Sequence, residues 1–524
     1  MNSSLSPTAI LGIIAVYFAV LVLISFLTSR KGNDNESFFL AGRKSPWPLV
    51  ALGMVGASLS GVTFISVPGA VGAGGANEAF SYMQVVFGYL LGYLFIGVVL
   101  LPLYYRLGLT SIYEYLKGRI GPYAYKVGAF YFLLSRVIGA SFRLFLVAIV
   151  LQEFVTGPLG VPFGVTVAIT IALIWLYTFQ GGIKTIVYTD TLQTICMLLA
   201  AGLTVYFIGQ ALETDLGGMV ELIRNSDYSQ MFYFEGGWTD PNNFWKQFFS
   251  GALITIVMTG LDQDMMQKNL SMPNLRDAQK NMATFSIVLI FANILFLSLG
   301  ALLYIYATSV GLAIPEASDQ LYPSIALRHL PAGAGVVFVL GLIAAAYSSA
   351  DSALTALTTS FCVDFLGMNE AVPGGKDDVA LAADKRKRLY VHVGFSVLLF
   401  FVILAFKTIG DRAVINSLFK AAGYTYGPLL GLFAFGLFTR LRVREVVQIG
   451  NFQLPALLLV CLAAPIISML VDANSAELML GFEFGFLILA FNGLLTFLGL
   501  VALSDFGDFQ SIEETNDDGS ATGE

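Results

Sequence analysis

A helix needs about 20 consecutive apolar residues to cross the hydrocarbon core of a bilayer, and such runs fill this sequence almost from end to end. They extend from Thr8 to Thr28, Trp47 to Gly72, Tyr82 to Tyr105, Val127 to Phe154, Val165 to Phe179, Ile186 to Ala211, Phe248 to Met266, Thr284 to Ala307, Gly333 to Phe361, Val391 to Phe406, Val414 to Phe438, Val446 to Val471 and Leu478 to Leu503. In lipid every backbone polar group must be satisfied within the segment, which favours helices for runs of this kind. The expected fold is an all-α polytopic membrane protein with thirteen transmembrane helices. Composition agrees: charged residues make up 12% of the chain, about half their share in soluble domains.

The basic residues test the count, because cytoplasmic loops hold the Lys and Arg. With the N-terminus outside, the inner loops hold most of the 28 basic residues, among them Arg43, Lys44, Arg106, Lys117, Arg119, Lys268, Arg276, Lys280, Lys385 to Arg388 and Arg440 to Arg444. The outer loops keep Arg224, Arg328, Lys407 and Arg412. This predicts a multi-pass protein of the cell membrane with its N-terminus outside and its C-terminus cytoplasmic. The first run has no cleavage site behind it and reads as a retained span. The net charge of −7 comes from one acidic outer loop and an acidic tail, so it does not point to nucleic acid. Three cysteines in apolar runs and two scattered histidines build neither a disulfide framework nor a metal cluster.

Chemistry concentrates in Ala344 to Ser360, AAAYSSADSALTALTTS, where one acid, Asp351, sits among small hydroxyl residues. On a helix Ala345, Ser348, Ser349, Asp351, Ser352 and Thr355 share a broad stripe, a row of oxygens that either ligates a cation or packs against a neighbouring helix. The second run, MVGASLSGVTFISVPGAVGAGG, has a composition that favours an interrupted helix. Its exposed carbonyls are tolerated where they line a cavity, although close packing through small residues explains the run as well. Asp190, about two turns into the segment GGIKTIVYTDTLQ that opens the sixth run, is either a first-turn carboxylate or an ion ligand facing the bundle.

Five segments carry a family resemblance: GLTSIYEYLKGRIG at Gly108 to Gly121, QGGIKTIVYTDTLQ at Gln180 to Gln193, DQDMMQKNLSMPNLRDAQK at Asp262 to Lys280, the SSADSALTALTTSF stretch, and YTYGPLLGLFAFGLF at Tyr424 to Phe438. Over nearly its whole length the chain resembles the sodium:solute symporter family. The resemblance implies a LeuT-like five-plus-five inverted repeat, with residues 47–211 and 248–440 as the two halves and a broken first helix in each. Residues 1–46 would be an extra helix and inner loop, 212–247 an outer loop, 441–503 two further helices and 504–524 a disordered tail. It also implies Na+ as the coupling ion. A first sodium is expected on the carbonyls of Gly56, Leu59 and Ala345 and the hydroxyls of Ser348 and Ser349, hard oxygen donors for a hard cation. A second, held in some members, would sit at Asp190, Ser348, Asp351 and Ser352. Two carboxylates in one cavity repel without a cation between them. The competing reading has Asp351 paired with a basic residue.

The resemblance leaves the substrate open. Positions that hold sugar in the sugar carriers are here Thr63, Met258 and Thr259, which argues against a glucose-like solute. Arg136 and Arg143, seven apart on one helix face, flank the position of a substrate-binding arginine in a sialic acid carrier and suggest an anion. Alternatively they snorkel or pair with Glu153 or Asp351. Ser60, Thr63, Gln84, Thr259, Lys420 and Tyr424 complete the candidates around the cavity. The expected partners are thus a small-molecule solute, sodium and lipid, with no nucleic acid, and the protein is expected to act as a monomer. An enzyme is disfavoured, since no nucleophile–base pair appears; a sensor or channel is the remaining alternative. If the serine stripe ligates sodium, Ser349→Ala weakens sodium activation of solute uptake at least about tenfold while shifting the unfolding midpoint little; unchanged sodium activation contradicts it.

Overall fold

The structure, a computed structural model, describes residues 7–29, 35–178, 182–368, 378–409, 414–449 and 452–505. Among these, eleven helices are long and apolar enough to cross a membrane. In chain order, the helices that build the fold are α1 (Pro7–Ser29), α2 (Trp47–Ala70), α3 (Tyr82–Arg106), α4 (Pro122–Leu159), α5 (Phe163–Thr178), α6 (Gly182–Ala211), α7 (Phe244–Gly260), α8 (Gln263–Leu270), α9 (Leu275–Ser309), α10 (Ala332–Phe365), α11 (Val379–Thr408), α12 (Val414–Phe438), α13 (Ala456–Ala473) and α14 (Gly485–Ala502). Helices α7 and α8 are bent by 62° at Leu261 and Asp262 and together can make a twelfth span, whereas α5, at 16 residues, is a shorter apolar helix.

Local chemistry explains the helix ends. Pro48 presets φ in the first turn of α2. The Asn274 side chain accepts the Asp277 N–H at 2.9 Å at the start of α9, and Asp262 accepts the Asp264 N–H at 2.9 Å at the start of α8. The start of α4 is capped from a distance: Glu445 accepts the Ala124 N–H at 2.7 Å. Burial raises the Glu445 carboxyl above the usual range, and its backbone hydrogen bonds work against that rise.

Two interruptions matter for function. Inside α2, Ser60 has φ 39° and ψ 173°, a left-handed value that costs a non-glycine residue roughly 1–3 kcal/mol and persists only where the surroundings enforce it. This is the break that the small-residue composition suggests. The second is the α7–α8 bend, preceded by a wide π turn at Ile256–Gly260, which also releases backbone groups from the regular ladder.

Around these breaks α2, α6, α9 and α10 form the centre. In α2, 89% of the most apolar window is buried, against 22% in α11, so α2 is an interior element and α11 faces lipid on most sides. Helices α3 and α7 cross closely through glycines: a methyl group on Gly88 would fall on the Phe248 carbonyl, and one on Gly251 on the Val85 carbonyl. Residues 212–243, between α6 and α7, carry a helix at Leu216–Arg224 capped by Asp215.

Several sequence expectations change. The run from Val446 does not begin a helix: Val447–Ile449 (β2) pairs with Phe452–Leu454 (β3), and α13 starts after Pro455. Its β-branched residues suit a strand, and proline cannot continue one. Likewise the last span starts at Gly485 rather than Leu478. Arg442–Val443 (β1) pairs with Ser504–Asp505 (β4), so the expected disordered tail is ordered in its first two residues; the remainder, 506–524, lies outside the described residues. Gly88→Ala should destabilise the protein by about 1–3 kcal/mol through overpacking, read by denaturant unfolding in detergent. Gly97→Ala, where nothing lies within 4 Å of the new methyl, should be close to neutral.

Candidate functional site

The two breaks face each other across a small cavity of about 70 Å³. Its lining comes from the break in α2 (Ser58, Leu59, Ser60, Thr63), from α3 (Tyr82, Tyr89, Tyr93), from α4 (Arg136, Arg143) and from α7 (Thr255, Met258, Thr259), with Asn293 of α9 and Leu418 of α12. Among the described residues no carboxylate lines it. Of the expected substrate residues, the structure brings Ser60, Thr63, Arg136, Arg143 and Thr259 together here.

It places the other three elsewhere. Gln84 is fully buried and binds the α6–α7 loop and the start of α7: its amide nitrogen donates to Asn242 O at 2.8 Å and to Gln247 Oε1 at 3.1 Å, and its oxygen accepts the Tyr233 N–H at 3.0 Å. Lys420 lies 2.9 Å from Asp472, with its side chain 59% exposed, and Tyr424 donates to the same carboxylate at 2.5 Å. These residues tie α12 to α13 outside the cavity. A polar side chain next to a broken helix gives no sign, in sequence, of which way it faces.

The oxygen-rich centre lies behind the break, where α2, α6 and α10 meet. Ala345, Ser348, Ser349, Asp351 and Ser352 are all buried on α10. Gly56 faces Ser348: a methyl there would lie 3.2 Å from the Ser348 hydroxyl and would overlap Thr194 of α6. Gly53 packs the same way on Asp190, with 3.0 Å from a methyl to its Cβ. The two glycines let α6 bring its carboxylate to the broken helix. Ser348 donates to Asp190 Oδ1 at 3.0 Å, and the Ser349 hydroxyl points back at Ala345 O, 3.4 Å away. A hydroxyl thus meets a carboxylate at Ser348 and Asp190, and a hydroxyl meets a carbonyl at Ser349 and Ala345, oxygen donors of the kind that suits a hard monovalent cation.

Buried charges surround these oxygens. Lys268 of α8, 1% exposed, lies 2.8 Å from Asp190 Oδ2. Sequence reasoning put Lys268 in an inner loop; in fact the short helix after the bend carries it inward. Asp351, expected either at a second sodium or beside a base, accepts from Tyr177 OH at 2.9 Å and from the Ser352 N–H at 2.5 Å. Ser352 donates its hydroxyl to Asp264 instead. Arg136 pairs with Asp264 and lies 3.8 Å from Asp262, which also accepts from Tyr426 OH at 2.5 Å. Glu153, suggested as an arginine partner, lies 3.7 Å from Arg328. Arg143, 7% exposed, has no hydrogen-bond partner for its Nε or one terminal nitrogen.

Asp262, Asp264, Lys268, Tyr177 and Tyr426 were thus not singled out from the sequence. The first three belong to the DQDMMQK segment, which in the sequence falls at the end of the seventh run and in the loop after it; the 62° bend folds it under the cavity.

The family model for the sodium:solute symporter family matches residues 38–445. The sodium/sialic acid symporter SiaT of Proteus mirabilis is 22% identical over 441 residues, covering 81% of this chain and 83% of that protein. The sodium/sialic acid symporter NanT of Aliivibrio fischeri is 24% identical over 440 residues, covering 81% and 82%. A solved structure described as the substrate-bound outward-open state of a Na+-coupled sialic acid symporter superposes with a TM-score of 0.77, over 94% of this chain and 97% of that one, at 17% identity. It is similar to this chain in fold. The role of Gln84 as a clamp on the α6–α7 loop predicts that Gln84→Leu lowers stability by about 2 kcal/mol, the cost of leaving buried partners unsatisfied. It should leave the half-saturating solute concentration of uptake unchanged.

Proposed function

The chain belongs to the sodium:solute symporter family, and we propose that the solute it carries inward with sodium is a small organic anion, bound in the cavity between the two breaks. The observation that carries this reading is Arg143, a buried guanidinium with unpartnered nitrogens in a cavity whose lining, among the described residues, holds no carboxylate. A buried unpaired charge is costly, and an anionic group is the natural partner for a planar donor fork. The tyrosines of α3 and the threonines of α2 and α7 offer aromatic faces and hydroxyls to the rest of the solute. Two relatives named as sodium/sialic acid symporters are consistent with a carboxylate.

The first sodium is assigned to Gly56, Leu59, Ala345, Ser348 and Ser349, and a second to the neighbourhood of Asp190 and Asp351. Transport is by alternating access. Sodium holds α10 against the broken α2 while the outer side is open, and its loss to the cytoplasm follows the rocking of one set of helices against the other. Thirteen spans, counting α5 and the α7–α8 pair, make up two five-helix inverted repeats plus α1, α13 and α14. The N-terminus is outside, the C-terminus is cytoplasmic, and the protein works in the cell membrane as a monomer within lipid.

The energetics decide what one ion accomplishes. Sodium moving inward down about 100 mV and a roughly tenfold gradient releases about 3.7 kcal/mol, enough for a roughly 500-fold gradient of a neutral solute. A monoanion with one sodium moves no net charge and keeps only the chemical part, so about tenfold. A second sodium restores the electrical drive. Arg143→Gln should weaken binding of the responsive carboxylate by about 10- to 100-fold, measured as solute-dependent thermal stabilisation of the purified protein, while stabilisation by sodium alone remains. Full retention of the solute response contradicts the anion reading.

A further inference from the structure

Lys268 is a fully buried cation paired with the carboxylate that also takes the Ser348 hydroxyl. Its ammonium lies 2.8 Å from Asp190 Oδ2, while Ser348 occupies Oδ1 at 3.0 Å. It arrives from α8, the second half of the bent pair, whereas Asp190 and Ser348 belong to α6 and α10. We infer that Lys268 is a tethered competitor of sodium at Asp190 and thereby sets the affinity for the ion. The inference rests on the sodium reading given above.

The charges support it. Asp190, Asp351, Asp262 and Asp264 are buried together with Lys268, Arg136 and Arg143, four formal negative charges against three positive. Arg136 is committed to Asp264 and Asp262, which leaves Lys268 as the cation among the described residues that ion-pairs with Asp190. A sodium ion that takes both Ser348 and Asp190 as ligands must share the carboxylate with an ammonium 2.8 Å from it or displace that ammonium. Two cations on one carboxylate repel. A displaced ammonium must find water or another acid, by a swing of the lysine side chain or a shift of α8. Sodium occupancy is thereby linked to the placement of the Lys268 ammonium.

The test is sodium-dependent thermal stabilisation of the full-length protein in detergent, titrated against choline at constant ionic strength. Lys268→Gln keeps a hydrogen-bond donor for Asp190 and removes the charge. Its half-saturating sodium concentration should fall at least about tenfold below that of the unmodified protein, and adding Asp190→Asn should cancel the gain. A sodium response equal to or weaker than the unmodified protein's, or a gain that survives Asp190→Asn, overturns the inference. Should Lys268→Gln not fold, Lys268→Arg decides: with the charge retained it should respond to sodium no better than the unmodified protein, and a tenfold gain there overturns the competition. An unmodified protein that shows no preference for sodium over choline would strike the symport reading itself, whereas a normal sodium response with an unresponsive variant strikes only the role of Lys268.

Discussion

A charge inside a membrane protein must be compensated where it stands, and the pairing of Asp190 with Lys268 and Ser348 is the contact on which the centre of this structure depends. Removing one partner of a buried ion pair typically costs 3–5 kcal/mol, because the other is left without water. The pair joins α6, α8 and α10, and Gly53 of α2 packs directly on the Asp190 side chain. Four helices from both halves of the chain therefore converge on one carboxylate. Whatever changes the electrostatics at that carboxylate changes the balance among all four.

The two breaks supply the other half of the design. Ser60 holds a strained backbone conformation at the point where α2 lines the cavity, and the 62° bend after α7 swings the DQDMMQK segment under it. Because both interruptions face a cavity, their freed carbonyls do not meet lipid. Tight glycine crossings between α3 and α7 form a contact that leaves no room for side chains. The proposed cation site between α2 and α10 and the proposed anion site between α2, α4 and α7 share the broken helix, which would give the two solutes a physical means of sensing each other.

Much of this was legible in the sequence, because the strongest signals are local. Apolar runs marked the helices, the glycine–serine composition of the second run marked the break, and the stripe of hydroxyls on Ala344 to Ser360 marked the oxygen-rich face of α10. Long-range pairings were less accessible. Lys268 looked like one more basic residue of an inner loop: the resemblance implied a break in this helix, but not that the segment after it would pair Lys268 with Asp190. Gln84, Lys420 and Tyr424 look like ligands as much as Arg143 does, yet the first clamps the α6–α7 loop and the other two hold α13. Only the partner decides the role, and partners such as Asn242 and Asp472 lie tens of residues away or more. Val446 to Leu454 reads in the sequence as part of the following span, whereas Val447–Ile449 pairs with Phe452–Leu454 and Pro455 separates these strands from α13.

The central claim is that sodium drives solute against its gradient through this site. The most direct measurement is accumulation of a labelled small carboxylate in proteoliposomes containing the purified protein, under an inward sodium gradient, with a sodium ionophore added at the plateau. The structure and its family membership predict accumulation above the external concentration, absent when potassium replaces sodium, and rapid loss of the excess once the ionophore collapses the gradient. Equilibration to the external concentration at the same rate in sodium and potassium, unaffected by the ionophore, would contradict it.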